Sequence, residues 1–248
     1  MRTLKLTISY DGNGFYGFQR QKERLTIQSE LESKIGLMIG NKITIKYAGR
    51  TDTGVHAKMQ VVSYSDNGNI PFDKIKHILN NLLTNIQVVK VEEVLEDFNP
   101  RKDALFREYE YWIYTGKQNI FLDKYMLHVN ELNINLLNRL LSKLIGLRDC
   151  KNLCYNPGQY RSTVREICKA QIVKMPFSFL NIDAEAYCFS IKAKSFMYHM
   201  VRKIVGLILE VNNGIITESY YSEIVSAEPC SSWKMAPAKA LFLKEIEY

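Results

Sequence analysis

The chain has no apolar run long enough to span a membrane, no Cys-x-x-Cys pair and no basic tail. Each absence closes a class. A transmembrane helix needs about 20 apolar residues, and Met1-Arg2-Thr3-Leu4-Lys5 runs straight into an alternating segment, with no apolar leader core. A soluble, cytoplasmic protein with no membrane partner is therefore expected. The five cysteines, at 150, 154, 168, 188 and 230, are odd in number and irregular in spacing, which fits reduced thiols better than a disulfide frame. Cys150, Cys154 and His128 are the best zinc donors, but they lack a fourth ligand at a usual spacing, so no metal is expected. Lys+Arg number 33 against 26 Asp+Glu, for a net charge of +7. The excess is spread evenly, with 15 basic against 12 acidic residues up to Asp103 and 18 against 14 beyond it. A polyanionic partner is compatible with that charge, and its binding surface would be shared by both halves.

Periodicity supplies the architecture. Leu4, Leu6, Ile8 and Tyr10 alternate with polar residues as a half-buried strand. Gly12-Asn13-Gly14-Phe15-Tyr16-Gly17 then spells G-x-G-x-x-G. A phosphate loop would need a helix to open at its third glycine, whereas the next helix signal is Thr26, so a dinucleotide site is disfavoured. Ile27, Leu31, Ile35 and Ile39 recur at helical spacing up to a Gly40-Asn41 stop. Strands are predicted over 43–47 and 58–64, a helix from Pro71 to Leu83 and a strand over 86–94. This β-α-β-β-α-β order is the ferredoxin-like unit.

The order repeats after Arg101, with strands over 107–115, 164–174, 187–194 and 240–248 and helices over 134–145 and 196–211. The expectation is an α+β protein of two ferredoxin-like β-α-β-β-α-β units, residues 1–103 and 104–248, whose antiparallel sheets join around a central cleft.

One stretch concentrates chemistry. Tyr47-Ala48-Gly49-Arg50-Thr51-Asp52-Thr53-Gly54-Val55-His56-Ala57 sits on a strand-to-strand connection, where a carboxylate is presented outside a ladder. Glycines at 49 and 54 permit positive φ and close approach of another backbone. The plain alternative is a glycine-rich hairpin with solvated charges. Asp52-Thr53-Gly54 is also the short signature of aspartic proteases, but these need two carboxylates sharing one proton, and the chain has no second such triplet. On the strand Arg107-Glu108-Tyr109-Glu110-Tyr111, Arg107, Tyr109 and Tyr111 share one face. Ser195 to Gly206 reads as an amphipathic helix, with Phe196, Met200 and Lys203 on one stripe and His199 and Arg202 on its neighbour. Packing tyrosines and a solvated arginine would explain both stretches without function.

The run from Gly49 to Ala57 resembles the active-site motif of the tRNA pseudouridine synthase A (TruA) family. Tyr10-Asp11-Gly12 with Tyr16-Gly17-Phe18-Gln19, Arg107-x-Tyr109-x-Tyr111, and Phe196-x-x-His199-Met200-Val201-Arg202-x-Ile204-Val205-Gly206 resemble its other motifs. The resemblance implies that Asp52 is the catalytic carboxylate for isomerising uridine to pseudouridine. It also implies that Tyr109 contacts the target base, that Arg202 pairs with Asp52, and that His199 packs against the cleft, while Tyr111 is structural. Arg50 is placed to hold a phosphate or fill the space left by a flipped base. Arg20, Arg50, Arg101 and Lys117 are the nominated RNA contacts. The implied substrate is tRNA, at the anticodon stem-loop, bound by a homodimer with no cofactor. Two stretches depart from the family pattern, Arg148 to Cys154 and Lys239-Ala240-Leu241. They leave open a paralogue acting on another RNA, and a non-catalytic RNA-binding protein is the remaining rival.

Overall fold

The computed structural model describes residues 1–179 and 182–248. In chain order its elements are β1 (Arg2–Tyr10), α1 (Ile27–Ile39), β2 (Lys46–Tyr47), β3 (His56–Asp66), α2 (Phe72–Leu82), β4 (Ile86–Val94), β5 (Phe106–Gly116), β6 (Leu127–His128), α3 (Ile134–Ser142), β7 (Gly146–Asp149), β8 (Val164–Met175), β9 (Ala184–Ala193), α4 (Met200–Asn212), α5 (Glu218–Val225) and β10 (Leu241–Glu247). They form an α+β protein with mostly antiparallel strands, divided into two compact units: Met1–Leu105 with Phe242–Tyr248, and Phe106–Leu241.

In the first unit β1 is central, antiparallel to β4 on one side and to β3 on the other. β2 pairs antiparallel with β3, and β10 joins β3 in parallel through Phe242↔His56. Helix α1 begins where the sequence supplies a cap. Thr26 Oγ1 accepts from the Ser29 amide at 3.2 Å while Ser29 Oγ accepts from the Thr26 amide at 3.0 Å, a reciprocal box that satisfies two otherwise orphaned donors. Gly40, at φ 78°, ends the helix in the left-handed conformation. Leu4, Leu6 and Ile8 of β1, Ile27, Leu31 and Ile35 of α1, and Ile75 and Leu79 of α2 are all buried. Burying an aliphatic side chain of this size stabilises by about 1.5–3 kcal/mol.

In the second unit the strands run β5-β9-β8-β7, all antiparallel, with β6 parallel to β5. Leu137, Leu140 and Leu141 of α3 are buried with Ile172 of β8 and with Ile204, Val205 and Ile208 of α4. Tyr114, Leu122, Met126 and Ala186 form a separate apolar cluster under the loop that follows β5.

Three local expectations change. The strand predicted over 43–47 is only Lys46–Tyr47, because the Ile45 amide donates to Glu32 Oε1 at 3.1 Å instead of to a ladder. The helix predicted from Phe196 starts at Met200, since His199 adopts φ 61° and a left-handed residue cannot continue a right-handed helix. Phe196 therefore does not share a helical stripe with Met200. The last strand, expected with the second half, has its residues 242–248 in the first unit, where Phe242 and Leu243 pair in parallel with His56 and Ala57 of β3.

Candidate active site

Asp52 lies half-buried on the 48–55 connection between β2 and β3. A turn closes the loop, with the Val55 amide donating to the Asp52 carbonyl at 3.1 Å and Gly54 at φ 76°. Its base is tied to β3, where Ala48 donates to the Val61 carbonyl and the Gln60 side-chain amide donates to the Gly49 carbonyl, each at 3.0 Å.

The other wall is the Tyr10–Phe18 segment, the G-x-G-x-x-G stretch. Tyr10 Oη lies 2.8 Å from Thr51 Oγ1, and the Phe18 amide donates to the Thr51 carbonyl at 3.0 Å. Gly17, at φ 84°, presents its bare Cα to the loop, and a Cβ there would sit 3.0 Å from the Thr51 carbonyl oxygen and 3.4 Å from the Asp52 carbonyl carbon. At Gly12 a Cβ would overlap the Val55 carbonyl oxygen at 2.2 Å. The glycines thus let two backbones touch, which no larger residue permits. Gly49 has a different position. It is absent from the positive-φ residues and an added Cβ would meet nothing within 4 Å, so the close approach expected of it belongs to Gly12 and Gly17.

His56 closes the cradle. The Gly12 amide donates to its Nδ1 at 2.9 Å, and the ring stacks on Phe242 with centroids 4.6 Å apart. Asp11 Oδ1 also lies 3.1 Å from Nδ1. The Gly12 amide and the Asp11 carboxylate thus both converge on Nδ1. Asp11 Oδ1 meanwhile accepts from the Asn13 amide at 2.9 Å. Burial pushes the Tyr10 phenol up to about 12, against the opposing hydrogen bonds from Thr51 and Gln60, so the brace is uncharged at neutral pH.

The remaining sequence candidates divide by unit. Arg50 is exposed, its Nε 3.4 Å from Tyr47 Oη. Arg20 is bound to the buried carboxylate of Glu32, which offsets its charge. Arg101 is exposed on an Asn99-capped turn, and Lys117 is exposed just after β5. In the second unit Tyr109 is half-buried on β5 with its ring edge-on to Phe196 at 5.1 Å. Tyr111 is fully buried, its hydroxyl donating to the Pro237 carbonyl at 3.0 Å, and burial raises its pKa far above the ordinary value.

Arg202 and the 234–237 segment hold one another. Arg202 Nε donates to the Ala236 carbonyl at 2.8 Å, and the Ala236 amide donates to the Arg202 carbonyl at 3.1 Å. Gly206 makes room, because a Cβ there would lie 2.1 Å from the Lys234 carbonyl oxygen. His199 stacks on Tyr198 with centroids 3.7 Å apart. His128 bonds the Gly116 carbonyl through Nε2 at 2.8 Å. Among the described residues, no group of three His, Cys, Asp or Glu side chains is placed to share a metal ion. A cavity of about 360 Å³ lined by Met1, Ile39, Lys42 and Asp66 includes none of the candidate residues.

A family profile described as tRNA pseudouridine synthase matches residues 6–101 and 140–248. The chain belongs to the tRNA pseudouridine synthase family. Curated relatives named tRNA pseudouridine synthase A include that of Syntrophomonas wolfei, 35% identical over 253 residues and covering all of this chain and 98% of its own. Those of Borrelia turicatae and Clostridium acetobutylicum are 34% and 33% identical over 252 residues, each covering the whole of both chains. The profile's two stretches hold Asp52, Arg50, Arg202 and His199. Tyr109 and Lys117 fall between them and are spanned by the full-length alignments. A chain of the solved archaeal box H/ACA sRNP Nop10-Cbf5 complex overlays 84% of this chain and 43% of its own at a TM-score of 0.35 and 9% identity, too loose a likeness to bear on the site. Membership in the synthase family disposes of the aspartic protease reading and of the non-catalytic RNA binder. Tyr10, Gly12, Gly17 and His56 lie in stretches that resemble family motifs, but their bracing of the Asp52 loop is visible only in the structure. No described helix is long and apolar enough to cross a membrane.

Proposed function

We propose that this pseudouridine synthase isomerises uridine in the anticodon stem-loop of tRNA, with Asp52 as the reacting carboxylate. The observation that carries the reading is the placement of Asp52. It lies in the family motif, half-buried, on a loop pinned by Tyr10, Gly12, Gly17 and His56. Such a loop holds its carboxylate in one place, and positioning contributes heavily to catalysis.

The chemistry needs no second reactant. The bond from ribose C1′ to N1 breaks, the base turns, and C1′ bonds to C5. N1 gains a proton and C5 releases one. An ionised carboxylate serves by attack at C1′, by attack at C6 or by taking the 2′ proton. A paired uridine must first leave its stem, and exposed Arg50, two residues before Asp52, is suited to hold the displaced backbone.

Tyr109 and Arg202, in the other unit, are assigned to the same reaction, Tyr109 to contact with the base and Arg202 to favouring the ionised carboxylate, and His199 is assigned to substrate binding. A double-mutant cycle of Asp52→Asn with Arg202→Gln tests this, since groups acting as one unit give non-additive losses. Arg50, Arg101 and Lys117 are the proposed phosphate contacts. Arg20, tied to Glu32, is the weakest of the four. The strand order β4-β1-β3-β2 and its two crossover helices support a ferredoxin-like first unit, and α3 and α4 flanking β8 and β9 support a second. A homodimer and a cytoplasmic setting complete the proposal. Release of tritium from C5-labelled uridine in a tRNA transcript, without added cofactor, is the test. Absence of release would remove the reading.

A further inference from the structure

The connection from β7 to β8, which follows directly on the Arg148 to Cys154 departure from the family pattern, carries Tyr155, and the segment before α4 carries Tyr198, two exposed rings to which the proposed reaction gives no role. Tyr155 is 53% exposed and Tyr198 48% exposed, both high for tyrosines fixed in a cluster. Tyr155 meets Tyr198 edge-on, with centroids 5.8 Å apart and an interplanar angle of 80°. The Tyr198 ring in turn stacks on the His199 imidazole, with centroids 3.7 Å apart and an interplanar angle of 28°. Neighbouring residues in a helix point apart and cannot stack so. Here the left-handed backbone of His199, at φ 61°, turns the chain and lays the two rings together. The backbone locks the arrangement. The Tyr155 amide donates to the Tyr198 carbonyl at 3.1 Å, and the Tyr198 amide donates to Tyr160 Oη at 2.8 Å.

Positive charge adjoins Tyr160, the residue that holds the Tyr198 amide. The Arg165 guanidinium stands over the Tyr160 ring at 5.8 Å. Arg148 is the register partner of Arg165 across the β7–β8 pair, so two like charges sit directly opposite one another. That placement destabilises a strand pair unless an anion sits between or above the charges. Neither guanidinium makes an ion pair among the described residues, and the Arg165 Nε is buried without a hydrogen-bond partner.

We propose that the Tyr155–Tyr198 pair, backed by His199, holds one unpaired nucleobase of the RNA substrate, stacked on the face of one ring and edge-on to the other, and that Arg148 and Arg165 take the adjoining phosphates. This extends the pseudouridine synthase reading and rests on its RNA substrate. Exposed rings beside cations are the usual way a protein holds a single-stranded nucleotide, because every base offers a π face. The site selects for an unstacked nucleotide, hence for a loop or a bulge over a continuous duplex.

The test is a fluorescence-anisotropy titration of a tRNA transcript, beside a blunt RNA duplex, against wild type, Tyr155→Ala, Tyr198→Ala and Tyr198→Trp. Each alanine variant weakens tRNA binding by about five- to a hundredfold and leaves duplex binding unchanged. Tyr198→Trp, which restores a ring, recovers affinity. Arg148→Gln reduces the slope of log affinity against log salt by about 0.7 for tRNA. If Tyr198→Ala does not melt cooperatively, Tyr155→Ala and Tyr198→Trp still decide the matter. Unchanged tRNA affinity in Tyr155→Ala, an equal loss on duplex, or a Tyr198→Trp variant no better than alanine would each overturn the proposal. Failure of the wild type to release tritium would instead strike the enzyme reading, since these titrations do not depend on turnover.

Discussion

The phenol of Tyr10 lies 2.8 Å from Oγ1 of Thr51, the residue immediately before Asp52. Both hydroxyls are buried, so neither can exchange this partner for bulk water. Tyr10→Phe leaves the Thr51 hydroxyl short of a partner, and a loss of about 1 kcal/mol in stability is expected. The larger consequence is for turnover, because the loop that carries Asp52 gains freedom. Steady-state kinetics should show kcat falling with KM nearly unchanged, and an unaltered kcat would mean that the brace does not position the carboxylate.

Glycine substitutions separate contact from mere flexibility. Gly17→Ala places a methyl against the Thr51 carbonyl at a left-handed φ, so it should cost more than about 1 kcal/mol and depress turnover. Gly49→Ala, in the same motif, meets open space and should melt within about 0.5 kcal/mol of wild type. Equal effects at the two positions in thermal melts would contradict the placement of the close approach at Gly17.

Alkali should unfold the protein through its buried phenols. Tyr10, Tyr64, Tyr111 and Tyr221 are all raised by burial, Tyr10 to about 12. In the unfolded chain they ionise near pH 10. Above that pH the unfolded state holds fewer protons than the native one, so stability is full below pH 10 and is lost as pH rises toward 12. For Tyr10 the loss is about 1.4 kcal/mol per pH unit in that window. Absorbance at 295 nm, followed with circular dichroism, should show these phenols ionising together with unfolding. Ionisation of all phenols near pH 10 in a folded protein would refute it.

The two tyrosines on one face of β5 should behave differently. Tyr111→Phe removes the bond to the Pro237 carbonyl and should cost about 1 kcal/mol of stability while sparing turnover. Tyr109→Phe should melt like wild type and lose turnover if its hydroxyl moves a proton. A greater loss of turnover at Tyr111 in the tritium assay would reverse the assignment.

Periodicity made the helices and long strands legible, since Leu4, Leu6 and Ile8 or Leu137, Leu140 and Leu141 bury the faces their spacing marks. It failed where a single residue overrides the pattern. The Glu32 carboxylate takes the amide that would have lengthened β2, and His199 takes a backbone conformation that its apolar neighbours conceal. Asp52, Gly12, Gly17 and His56 all lie in stretches that resemble family motifs, but the sequence does not show what the two glycines do. Only in three dimensions do Gly12 and Gly17 show a backbone passing against 51–55. The pairing of Arg20 with Glu32 was equally hidden, because twelve residues separate partners that the turn into α1 brings together.

The most direct measurement is tritium release from C5-labelled uridine in tRNA by Asp52→Asn, run with a binding titration and a thermal melt on the same preparation. The substitution keeps shape and hydrogen-bonding capacity but removes the charge and the nucleophile. Stability should stay within about 1 kcal/mol of wild type and tRNA affinity should hold or rise, since one negative charge facing phosphate is gone, while release falls to background. A folded, tRNA-binding Asp52→Asn protein that releases tritium at the wild-type rate would contradict the account.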